Sequence, residues 1–166
     1  MYNVVGVGKG VKNLMESFDQ YKEYNTFYID EEILGSFQTM VEYENNFPAT
    51  AVKKKLKGIT KNSEVLYVVE GGEHISGASL RIFEVLKKAS VRVLYIIPDR
   101  NVLNERERAN ESLTFRAFQD IARSGGLEQI ILIDLEKVET FLGDIPLENY
   151  DKVLAHNIVN TFAMLN

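Results

Sequence analysis

Short apolar runs alternate along this chain with stretches of helical spacing. Residues 2–7 (YNVVGV), 26–29 (TFYI), 65–69 (VLYVV), 91–97 (VRVLYII) and 130–133 are uncharged or nearly so and rich in β-branched residues, so they read as strands. Between them, residues 13–21 form a short amphipathic helix. Residues 77–89 place Leu80, Phe83 and Leu86 on one helical face. A long helix over 104–124 is closed by Gly125 and Gly126, and a second one covers 149–165. Pro98 stops the fourth strand. Residues 50–58 (TAVKKKLKG) are a basic helical turn or two with a solvated lysine face, and 35–48 shows too little periodicity for more than a loop or irregular helix. Strands buried on both faces and joined by helices predict an α/β fold of three layers, with a mostly parallel sheet covered by helices on both sides. No internal repeat or linker divides it, so residues 1–166 read as one domain.

In an open sheet of this kind ligands bind where strands end and helices begin, near the reversal of strand order. Two of those turns are rich in glycine. The first strand runs into Gly6-Val7-Gly8-Lys9-Gly10, with Asn13 just beyond. The third runs into Glu70-Gly71-Gly72-Glu73-His74-Ile75-Ser76-Gly77. Glycine lets backbone N–H groups approach an anion closely, and a helix start adds a favourable dipole. Two such turns at neighbouring strand ends are suited to clasping one polyphosphate. The P-loop pattern is absent, and the spacing fits the dinucleotide fingerprint only if Val11 replaces its last glycine. Asp30 then stands where a ribose-binding acid belongs.

Composition narrows the chemistry. The chain has no cysteine and two histidines, which excludes disulfides, zinc–thiolate sites and a cysteine nucleophile. A net charge of −5 argues against nucleic acid as a partner. No apolar run approaches the ~20 residues of a membrane span, and no secretory pattern opens the chain, so a cytoplasmic protein is expected. No nucleophile–base pair stands out, and neither a catalytic residue nor a metal ligand is assigned.

The order of these segments resembles the GTP-binding domain of the tubulin/FtsZ family, which is Rossmann-like. VVGVGKGVKN is similar to the family's first strand and glycine loop, with Gly6, Gly8 and Gly10 on glycine positions and Asn13 on the asparagine that contacts guanine. GGEHISGASLRIFEVLKK is similar to the signature G-G-G-T-G-[ST]-G and its helix; Gly71, Gly72, Ser76 and Gly77 match, whereas Glu73, His74 and Ile75 depart from it. The stretch holding Asn104, Glu105 and Arg108 lies where the family has ribose and phosphate contacts. Residues 149–166 resemble the central helix, with Asp151 on the acid that pairs with guanine. The resemblance implies GTP or GDP as ligand, with Mg2+ assisting, and self-association or association with a full-length family member; Lys9 is read either as neutralising the phosphates or as a solvated lysine. It also implies little hydrolysis by this chain alone, because the family's acidic loop beyond the central helix is not in the sequence. Glu73 would put negative charge where phosphate lies, unless it turns outward or a divalent cation intervenes. Three readings therefore stand at this point: a guanine-nucleotide protein, a degenerate relative serving as a structural or interaction module, and an NAD-type protein using Asp30. Ser76 is read either as a phosphate donor or as a helix cap.

Overall fold

The computed structural model describes residues 2–144 and 146–165; Met1, Ile145 and Asn166 lie outside the described residues. Five parallel strands form one sheet: β1 (Tyr2–Val7), β2 (Tyr24–Ile29), β3 (Glu64–Glu70), β4 (Ser90–Ile97) and β5 (Gln129–Asp134), in the order β2-β1-β3-β4-β5. The chain moves from β1 outward to β2, then crosses to the other side of β1 to begin β3. The reversal of strand order thus falls between β1 and β3, whose register pairs Val7 with Val69.

Alternate residues of each strand feed two separate cores. Val5, Val7, Tyr67, Val69, Val93 and Tyr95 face α2 (Glu31–Leu34), α3 (Met40–Asn45), α4 (Ala49–Lys55), α5 (Ser79–Val85) and α6 (Glu105–Arg123). Val4, Leu66, Val68, Leu94 and Ile96 face α1 (Lys12–Phe18), α7 (Leu135–Leu142) and α8 (Tyr150–Leu165). Helices on both faces leave no wet side to the three central strands, which explains their near-continuous apolar sequences.

All five predicted strands and both long helices are present, with boundaries shifted by a residue or two. The differences are local. The predicted helix over 77–89 begins as a 3-10 turn, His74–Ala78, and turns α-helical only at Ser79. Its core face is carried by Ile82 and Leu86, and Leu80 is left exposed. The stretch 35–48 contains α3, capped by the Thr39 hydroxyl accepting from the Glu42 N–H, and α2 precedes it, capped by Asp30. Helix α7 is an addition to the predicted elements. Asn104 caps α6, in a capping box with Glu107.

Candidate functional site

The carboxyl ends of β1 and β3 meet at the reversal of strand order. Gly8 leaves β1 with φ of +94°, a backbone conformation that a side chain resists. Its N–H donates to the Ile29 carbonyl and its carbonyl accepts from the Tyr28 hydroxyl, both at 3.0 Å. The turn is thus tied to the end of β2 by one backbone bond and one bond from the Tyr28 side chain. Lys9–Val11 then makes a short 3-10 turn into α1.

The hollow over this turn holds side chains of the same protein. A Cβ added to Gly10 would overlap a carboxylate oxygen of Glu70 and come within 2.5 Å of Glu73 Oε1; one added to Gly8 would lie 3.1 Å from the same Glu73 oxygen. Both carboxylates therefore crowd the bare backbone of the first glycine turn. The Gly10 N–H faces the Glu73 carboxylate and favours its ionised form, while Glu73 Oε1 is buried without a hydrogen-bond partner among the described residues. Burial pushes Glu73 up to about 7, against that N–H. Glu70 is pushed up to about 8, first by burial and then by the charges of Glu73 and Asp151. Glu73 thus turns inward, toward the position an anion would take.

The second glycine turn is equally committed to internal contacts. The Ser76 hydroxyl donates to the Glu73 carbonyl at 2.6 Å and caps no helix; it is buried beside Thr114. Ile75 packs against Gly8, and Gly77 sits directly on the Met40 backbone. Gly71 lies under the Tyr95 hydroxyl and Glu111, with Gly72 beside the Glu107 carbonyl. Glu111 is buried and is held by a fork from Arg100, whose Nη2 and Nε donate at 2.9 and 3.2 Å, and by the Tyr95 hydroxyl at 3.2 Å.

The remaining residues singled out from the sequence are dispersed around this end. Gly6 lies within β1, where its missing side chain makes room for Met15 of α1. Lys9 is exposed on the rim of a cleft of about 250 Å3, whose walls also carry Asp30, Glu31, Glu73 and Glu107. That volume is below the ~300–1,000 Å3 common for small-molecule sites. Asn13 is half-buried in the first turn of α1. Arg108 donates its Nε–H to the Arg100 carbonyl at 3.0 Å. Asp151 is exposed in the first turn of α8, near enough to raise Glu70. Asp30 caps α2 through its side chain. Among the described residues no group of three or more His, Cys, Asp or Glu is arranged to hold a metal ion.

Glu70, Tyr28, Arg100 and Glu111 are site residues that the sequence reading does not assign. Glu70 carries a signal in the sequence: a lone acid ending an apolar strand at the sheet's ligand end. The Arg100–Glu111 fork carries none, because it depends on how the loop after β4 folds back onto α6.

No family model matches the chain, and no curated protein matches it in sequence. Among solved structures, the fold is similar to that of TubZ from Clostridium botulinum phage c-st, with a TM-score of 0.61 and 15% sequence identity over 93% of this chain. The match spans 56% of the TubZ chain. A likeness at that identity concerns the fold, which is the tubulin/FtsZ-like α/β architecture. No helix among the described residues is long and apolar enough to cross a membrane.

Proposed function

We propose that this chain is a tubulin/FtsZ-fold module that works through association with other macromolecules, its anion turn closed by its own carboxylates. One observation carries the reading: Glu70 and Glu73 both press against Gly10, where a bound phosphate would have to lie. Magnitudes favour it. A helix start and its free N–H groups stabilise an anion by about 0.3–2 kcal/mol. A like charge ~4 Å away opposes it by about 4 kcal/mol at an effective dielectric near 20. That repulsion grows as the two raised carboxyls ionise through about pH 7 to 8, and below that range their side chains still fill the place against Gly10; the cleft beside it is walled by further acids.

A second reading is a guanine-nucleotide site with GTP or GDP held through Mg2+, which would offset the carboxylates. The nearness of Asp151 to the same turn favours it. Calorimetric titration of nucleotide-free protein with GTP, GDP and ATP in Mg2+ separates the two. The module reading expects no saturable heat and no thermal shift at millimolar nucleotide. Saturable guanine binding, reduced in selectivity by Asp151→Ala, would overturn it.

A further inference from the structure

At the opposite end of the sheet the charge changes sign. Residues 49–63 contain five lysines and no acid, in a chain whose net charge is −5. They border a groove of about 480 Å3 between α4 and α5. Its floor is apolar, made by Phe47, Leu56, Ile59 and Val85. Its rim carries Lys53, Lys57, Arg81, Lys87 and Lys88, with Glu84 as the lone acid among the lining residues. Arg81 reaches Glu84 at 3.7 Å and lies over the Phe47 ring, 5.4 Å from its centroid. The four lysines are exposed and make no ion pair with a carboxylate among the described residues.

An exposed lysine alone is ordinarily just solvated. Here the unpaired cations ring an apolar trough, and that combination selects an occupant. A nucleic acid would use the rim and leave the floor unmatched, because phosphates want cations and little apolar surface. A membrane would want protruding apolar anchors, whereas Phe47, Ile59 and Val85 are recessed and partly buried. We infer that the groove between α4 and α5 docks an acidic amphipathic segment of a partner protein, its apolar residues on the floor and its carboxylates on the lysines. This is the helix-in-groove mode with charge complementarity setting orientation and on-rate. The groove lies away from Glu70 and Glu73, so the inference stands whether or not the glycine turn takes a nucleotide.

The test uses a panel of synthetic amphipathic peptides built from Leu and Glu, titrated by calorimetry and by amide chemical shifts. Saturable binding is expected, with shifts concentrated at residues 47–61 and 81–88. Affinity should fall about tenfold as salt rises from low to high ionic strength, and about tenfold in each of Lys53→Glu and Lys87→Glu. Replacing the peptide's leucines with serine should abolish binding. Four results would overturn the inference: no saturable binding by any peptide of the panel; equal binding of the serine peptide; tighter capture by an oligonucleotide or by phosphatidylserine vesicles; or low-salt self-association that the lysine variants abolish, which would make a second copy the occupant. Both substitutions are at exposed positions, so loss of binding is read against an unchanged unfolding midpoint.

Discussion

Replacing both Glu70 and Glu73 with glutamine should remove the fall in stability that this pair imposes as pH rises through the neutral range. Each carboxyl binds its proton more tightly in the folded chain than at the ordinary value of 4.5. The folded state therefore holds more protons than the unfolded one between that value and about 8, and stability falls as pH rises through this window. The stabilising contribution is complete below about pH 4.5 and gone above about pH 8. One pKa unit corresponds to about 1.4 kcal/mol, so the displacement of Glu70 alone is worth roughly 5 kcal/mol. Glu73 adds a displacement of its own, caused by burial and not by Glu70, so roughly 5 kcal/mol is the lower bound for the pair. The assay is urea unfolding at a series of pH values from about 5 to 9, with wild type and Glu70→Gln/Glu73→Gln compared at each. The two proteins should agree within about 2 kcal/mol at the acid end and diverge by several kcal/mol more at the alkaline end, where the variant is the more stable. Comparison at each pH cancels the general self-repulsion of an acidic chain. Parallel pH profiles for the two proteins would refute the buried-pair geometry, since carboxylates facing water would titrate alike in both states.

Gly77→Ala should destabilise by about 1–3 kcal/mol and speed amide exchange in residues 37–45, because the new methyl would overlap backbone atoms of Met40, which cannot swing aside as a side chain would. Arg100→Met should lower stability by roughly 2 kcal/mol in denaturant unfolding, because Glu111 is then left buried with only the Tyr95 hydroxyl; the Arg100→Met/Glu111→Gln double variant should recover most of that loss.

The strands are legible because burial on both faces writes itself as continuous apolar sequence, as in Val65–Val69 and Val91–Ile97. The long helix α6 is legible from its spacing and its closing glycines. Helix α7 escapes the pattern although Asp134 caps it and Leu135, Val138 and Leu142 share a face; it follows β5 without a turn, so the strand's apolar run masks its start. The stretch after β2 hides α2 and α3 because helices this short carry too few residues for a period to emerge. At the site, the two glycine turns are legible as a pair, and so is the conflict between Glu73 and phosphate. The direction of the Glu73 side chain is not. It is set by Gly8 and Gly10, far away in sequence, whose bare backbones leave room for it. Ser76 shows the same limit: the spacing admits a cap or a phosphate donor, and the fold gives its hydrogen to the Glu73 carbonyl instead.

The carboxylates that lie against Gly10 are attached to the chain that forms the turn, and this has a consequence for timing. A diffusible ligand leaves, is diluted, and is exchanged or consumed, so the protein that holds it passes through successive states. A tethered group keeps a constant effective concentration and never dissociates. On the proposed reading this module has no clock: the lifetime of any assembly it enters is governed by mass action and by proton concentration, with no fuel to run down.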